Sequence, residues 1–160
     1  MSVRDVLLWP DARLSEVCEP VGTVDPQLIE NLFDTMYAAY GRGLAAPQVG
    51  VMQRVFVVDV TWKEGVRMPR VFVNPVVQRR SADMRSMEEQ CLSIPDLPMR
   101  VTRPEGVTLT WEGADGPQTQ TFEGNLARCI QHELDHLDGR LIFDHQSPED
   151  RAELEALYAG

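Results

Sequence analysis

Long apolar runs are missing from this chain. No stretch approaches the roughly 18 consecutive apolar residues that a bilayer-spanning helix needs. The opening residues, Met1-Ser2-Val3-Arg4-Asp5-Val6, lack the charged-then-apolar layout of a secretory signal. A basic surplus is missing too: 15 Lys and Arg stand against 25 Asp and Glu, a formal charge of −10. Binding along a phosphate backbone runs on displaced counterions, so no direct nucleic-acid patch is expected, and no membrane partner. Cysteine is scarce. Cys18, Cys91 and Cys129 are odd in number and show no CxxC spacing, which argues against a disulfide scaffold. A reducing cytoplasm is the expected location, and there a cysteine is free to bind metal. Repeats, low-complexity segments and linkers are also absent, so residues 1–160 are read as one catalytic domain. The 43% apolar and 25% charged residues suffice for an ordinary core and exclude disorder as the default.

What is present reads as alternating helical and extended segments. Residues 4–9 form an extended lead-in, and Asp11 caps a short helix through Val17. Asp25-Pro26 starts a longer one, with Leu28, Ile29, Leu32, Phe33, Met36 and Tyr40 at spacings of three and four; Gly41 ends it. Gly41 to Gly50 is a shaped loop of glycines, Pro47 and small residues. Arg54–Val60 is a largely buried strand, Val71–Val77 another, and Arg79–Arg85 a polar surface loop. Met87–Pro95 has no clear period. Val101 is a possible strand start; Val107–Trp111 alternates, Gly113–Pro117 turns, and Gln118–Phe122 returns. A helix over about 125–137 carries Leu126, Ile130, Leu134 and Leu137 as its apolar stripe, with Gly139 as its stop. Ser147 opens a short final helix.

That penultimate helix contains His132-Glu133-x-x-His136. Residues four apart share a helix face, so two imidazoles can grip one metal while the Glu works on a bound water. A catalytic site of this type wants a third protein ligand and an open position. His145 is nine residues on, past Gly139, and reads better as a surface residue. Cys91 lies in a Pro-bounded aperiodic stretch and is the better third ligand. Cys129, three before His132, faces the site or serves as a small buried apolar residue. Glu133 is then the general base, and acyl transfer needs donors for a developing oxyanion: the Gln48 side-chain amide and the Leu92 backbone N–H are the candidates. His-Glu-x-x-His alone also permits a metalloprotease.

Three stretches resemble, in order, the motifs of the peptide deformylase family: Gly41 to Gln48, Glu89-Gln90-Cys91-Leu92-Ser93, and Gln131 to Leu137. The resemblance implies an α+β fold, with antiparallel strands around a central metal-bearing helix and a longer N-terminal helix outside. It implies one divalent metal held by Cys91, His132 and His136, natively Fe2+, with Zn2+ or Ni2+ as replacements. Glu133 would be the acid/base and Gln48 with the Leu92 amide the oxyanion donors. The reaction would remove the N-formyl group from formylmethionine on nascent peptides, with a transient partner in the ribosome. Arg42, Gly43, Leu44, Gln90, Asn125 and Arg128 would line the substrate groove.

The chain departs from the family at Gln90, where the motif has Gly, and in the side-chain pocket, where Arg42, Asn125 and Arg128 are unusually polar beside Met87, Cys129 and His132. Two readings follow. The first substrate residue is polar rather than methionine, or the long stems of Arg42 and Arg128 line the pocket while their charges lie elsewhere. Asp135, off the histidine face, pairs with Arg103 or is an exposed helix acid. The alternatives to a deformylase are an amidase with a different N-formyl or N-acyl substrate and a catalytically silent metal- or peptide-binding homologue.

Overall fold

The structure is a computed structural model that describes residues 2–159. Ten elements carry the fold. They are α1 (Pro26–Ala38), β1 (Gly43–Ala45), β2 (Val55–Val58), β3 (Arg70–Arg80), β4 (Met84–Cys91), β5 (Ile94–Pro104), β6 (Gly106–Gly113), β7 (Gly116–Glu123), α2 (Gly124–Leu137) and α3 (Pro148–Ala159). A five-stranded antiparallel sheet runs in the order β1-β2-β3-β6-β7, and β4 and β5 pair separately as a hairpin. This is the α+β arrangement expected of the chain.

The near-continuous apolar run of β2 is explained by helices on both faces of the sheet. Val55 and Val57 pack with Leu28, Leu32 and Met36 of α1. Phe56 and Val58 point the other way, into a cluster with Phe72, Leu109 and Phe122 and with Ala127, Ile130, Leu134 and Leu137 of α2. Alternation of side chains across a strand sends successive residues to opposite layers, so a strand covered twice has no polar face. A third cluster lies under the hairpin, where Ile94, Met99 and Val101 meet Leu14, Ile142 and Phe143.

Several boundaries differ from expectation. α1 stops at Ala38, because Tyr40 takes a left-handed backbone (φ 60°) before Gly41. At 13 residues it is not longer than α2, which has 14, and the final helix is a full 12. The segment 11–17 contains only a 3-10 turn, Ala12–Ser15, with the Asp11 carboxylate accepting from the Arg13 N–H. The loop 41–50 contains β1 and a 3-10 turn. The largest corrections are at 79–85 and 87–95. The first is the end of β3 and the start of β4, with a short connection between them, and the second is the closed end of the β4–β5 hairpin.

Candidate metal centre

Helix α2 starts the site. Its apolar stripe seats it on the sheet, and its C-terminal end is tied down by Arg54, which donates to the Leu137 carbonyl (3.0 Å) and pairs with Asp138. A cation at that end also suits the helix dipole. The opposite face of α2 then turns His132, Glu133 and His136 toward the β4–β5 hairpin. Cys91 is the last residue of β4, with a register irregularity between Glu89 and Cys91 just before the turn. Side-chain donor atoms of Cys91, His132 and His136 lie within 4.8 Å of one another, and the Cys91 Sγ is 3.4 Å from His136 Nε2.

The chemistry of this cluster fits a metal cation. Burial raises the Cys91 thiol, but the two imidazoles outweigh burial and bring it down to about 5, so the sulfur is a thiolate. The His132 Nδ1 lies 2.9 Å from Glu89 Oε1, which leaves Nε2 as the nitrogen that could take a metal. A carboxylate behind a ligating histidine fixes its ring and tautomer. Glu133 is buried, and its Oε1 has no hydrogen-bond partner among the described residues. Burial raises its carboxyl above the usual range, with the charge on Cys91 acting the same way and the two histidines against it. A buried acid of raised pKa beside a thiolate and two imidazoles is equipped to exchange a proton.

Gln48 enters from the 3-10 turn after β1. Its Oε1 accepts from the Ala45 N–H (3.0 Å), which fixes the amide's orientation. Its Nε2 donates to Ser93 Oγ (3.1 Å) and lies 3.8 Å from the Cys91 sulfur. Leu92 is half-buried beside it, and its side chain rests against Gly41. In front of the cluster opens a cleft of about 700 Å³. Arg42, Gly43, Gln48, Gln90, Leu92, Asn125 and Arg128 all contribute to it, as do Cys91, His132 and Glu133. Leu44 does not: it is fully buried in the cluster with α1, because adjacent residues of β1 face opposite sides. Its place in the substrate groove is therefore corrected. Cys129 is half-buried, with its thiol donating to the Arg42 carbonyl rather than joining the ligands.

Behind the histidines lies a network that the sequence reading found only in part. Arg103 donates to both oxygens of Glu89 (2.7 and 3.0 Å) and to Asp135 (2.9 Å), so the Arg103–Asp135 pair is real. His145 Nε2 meets the same Asp135 oxygen at 2.7 Å. Arg128 reaches Glu89 as well and donates to the carbonyls of Val101 and Arg85. Its charge is thus turned behind the cleft. Arg42 instead runs outward to Glu64. Burial works against ionisation of Glu89, but its bonds to His132 and Arg103 win and hold it well below the usual carboxylate range. Glu89 and Ser93 were given no role from sequence. The signal available for Glu89 was its place two residues before Cys91, on the same side of a strand.

The comparisons with known proteins agree with this geometry. The family model described as polypeptide deformylase matches residues 3–152. The chain belongs to the peptide deformylase family. It is 44% identical to a peptide deformylase of Brucella suis over 151 residues, covering 92% of this chain and 86% of the relative. Its identity to a peptide deformylase of Pseudomonas aeruginosa is also 44%, over 92% of this chain and 89% of the other. A crystal structure of a peptide deformylase from Legionella pneumophila superposes with a TM-score of 0.89 at 40% identity, covering 99% of this chain and 94% of that one. One from Ehrlichia chaffeensis in complex with actinonin gives 0.90 at 35% identity, over 98% and 96% of the two chains. Members of the family are metal-dependent hydrolases of N-formyl amide bonds, and the Cys91, His132 and His136 cluster suits that dependence. Among the described residues, no helix is long and apolar enough to cross a membrane.

Proposed function

We propose that the chain is a metal-dependent hydrolase that removes the N-formyl group from the start of peptides, acting as one catalytic unit over residues 1–160 in the cytoplasm. The observation that carries this is the convergence of a Cys-His-His cluster, a buried acid and an oriented side-chain amide on one cleft. Cys91, His132 and His136 hold a single divalent ion, and a thiolate with two imidazoles suits Fe2+ as the native ion, with Zn2+ and Ni2+ as replacements. When bound, that ion supplies Lewis acidity toward water and the formyl oxygen.

The chain's own residues do the rest. Glu133 takes a proton from the attacking water as its oxygen bonds to the formyl carbon. The Gln48 amide, fixed by the Ala45 N–H, donates to the oxygen that gathers charge, and the Leu92 N–H is the second donor. Glu133 then delivers its proton to the departing amine nitrogen, the C–N bond breaks, and formate leaves beside a free N-terminus. Arg42, Gly43, Gln90, Asn125 and Arg128 border the path of the peptide. Nascent chains are the substrate source, which places the protein transiently at the ribosome.

The test is formate release from a panel of formylated dipeptides, before and after chelation and after reloading with Fe2+, Zn2+ or Ni2+. The Glu133→Gln variant is expected to keep its metal and lose activity by at least about a hundredfold, the low end of what a positioned acid/base contributes. A metal-loaded native protein that releases no formate from any member of the panel would sink the proposal and leave a binding role.

A further inference from the structure

His145 has no part in the chemistry described above, yet the fold connects it to the metal cluster. We propose that His145 is a positioning residue for His132, acting through Asp135, Arg103 and Glu89, so that its ring N–H keeps that candidate ligand aimed at the metal. The inference rests on the deformylase reading only for the Cys91, His132 and His136 cluster, not for the peptide that is cut.

Spacing alone suggests a surface residue, but only 20% of the His145 side chain is exposed. It ends the 3-10 turn Ile142–His145, whose Ile142 and Phe143 are buried under the hairpin. That turn is locked on both sides. Asp144 accepts from the Leu141 N–H (2.7 Å) and pairs with Arg151 (2.7 Å), and the Gln146 amide donates to the Arg100 carbonyl (2.9 Å). From this fixed base the His145 Nε2 reaches Asp135 Oδ2 at 2.7 Å. Arg103 donates to the same oxygen (2.9 Å) and to both oxygens of Glu89, whose Oε1 meets His132 Nδ1. An unbroken line of contacts, His145–Asp135–Arg103–Glu89–His132, thus joins a rigid turn to one of the three residues of the metal cluster.

Each member of that line depends on the next. The terminal torsion of a carboxylate side chain is broad, so Arg103 alone leaves the Asp135 group free to turn. Burial works against ionisation of Asp135, but its bond to His145 and the charge of Arg103 prevail and hold its carboxyl below the usual range. An ionised carboxylate only accepts, so the proton of the contact belongs to His145 Nε2. That N–H pins the oxygen that Arg103 uses. Arg103 then meets Glu89 with both Nε and Nη2, and Glu89 aims the His132 ring. His136 lacks this support: its Nδ1 is buried and has no partner among the described residues. The bracing of the histidine pair therefore comes from the His132 side, and a buried polar network loses more than one bond when a member is removed.

The experiment measures Zn2+ affinity by competition with a chelator, on full-length variants whose metal-free melting curves show them folded. His145→Phe keeps the ring and removes the N–H. It is expected to weaken Zn2+ binding by at least about fivefold, less than the 10–100-fold typical of a direct partner such as Glu89, because three contacts intervene. His145→Gln places an amide N–H near the same point and should stay within about twofold of native, which a residue that merely filled space would not require. In a Glu89→Gln background the line is already cut, so His145→Phe should add less than about twofold. A smaller loss in His145→Phe, an equal loss in His145→Gln, or a full additional loss in the Glu89→Gln background overturns the proposal. With metal saturating, the KM for formyl-Met-Ala should match native in both His145 variants, because His145 does not line the cleft; a raised KM assigns it to the groove instead and also overturns the proposal. Absence of formate from every peptide sinks the deformylase reading alone, since the affinities are read with Zn2+ and no peptide.

Discussion

Gly43 is the position where one added methyl group tests the catalytic geometry most directly. It lies in β1 opposite Val58, and its backbone is not in the left-handed region, so alanine meets no conformational obstacle there. On backbone grounds alone, Gly→Ala at such a site stabilises by roughly 0.4–1 kcal/mol through the unfolded chain. The space says otherwise. A Cβ on residue 43 would stand 2.7 Å from Glu133 Oε2, 3.1 Å from its Cδ and 2.9 Å from Cys129 Sγ. Restoring an ordinary contact of 3.4 Å moves the carboxylate oxygen by about 0.7 Å. Displacements near 1 Å cost on the order of a hundredfold in positioned chemistry, so kcat is expected to fall about 10–100-fold, or roughly 1.4–2.7 kcal/mol in the barrier. The displaced acid should lower kcat, because it acts as bonds form and break, and any rise in KM reports the added methyl on the peptide path that Gly43 borders. Metal content should hold, since Cys91, His132 and His136 are untouched by the added group. The assay is formate release on the best peptide of the panel, with metal analysis and a melting curve. Gly22→Ala, with nothing within 4 Å of the new Cβ, is the control. A Gly43→Ala enzyme that is folded, metal-loaded and within twofold of native kcat refutes the assigned role and placement of Glu133.

Three further outcomes follow from the surrounding structure. Glu89→Gln removes the carboxylate shared by Arg103, Arg128 and His132, and a broken buried pair costs about 3–5 kcal/mol, read as a shift in denaturant midpoint. The same variant should weaken metal binding by about 10–100-fold, measured by competition with a chelator, because His132 loses its anchor. Gly139→Ala should lower the melting temperature clearly. Residue 139 sits at φ +71°, and a Cβ there would lie 2.6 Å from the Ser15 carbonyl oxygen, where backbone meets backbone and neither yields easily; Gly65→Ala, at φ +92° with open surroundings, should cost only the conformational share of about 1 kcal/mol. Alkaline stability should also fall. Burial raises the Cys18 thiol from 9.0 to about 11 in the folded protein, so the unfolded chain loses this proton first and stability drains away as pH climbs between those values. Urea midpoints at pH 8 and pH 10.5 should differ less in Cys18→Ala than in the native protein, and an identical difference would remove that explanation.

The helical half of the site was legible because its signals are local. His132, Glu133 and His136 lie within five residues on an element whose apolar stripe has the helix period, and Leu134 and Leu137 show which way it faces. β2 was equally plain, since burial on both faces leaves a run of valine and phenylalanine that nothing polar interrupts. The β4–β5 hairpin was obscure for a physical reason that bears on function. A strand is recognised by apolar residues at alternate positions, but here the buried positions include Glu89 on β4 and Arg103 on β5. The ion pair that anchors His132 replaces the hydrophobic alternation that would have revealed the strand. The sequence left the direction of Arg128 open between the cleft and elsewhere for the same reason. Its acceptor lies 39 residues away in the chain, and in the fold Glu89 and two carbonyls take three of its five N–H groups. The polar residues that blur the strand pattern are thus the ones that hold His132, a candidate metal ligand, in place. Substitutions among them should alter metal affinity and stability together, whereas changes in the β2 core should alter stability alone.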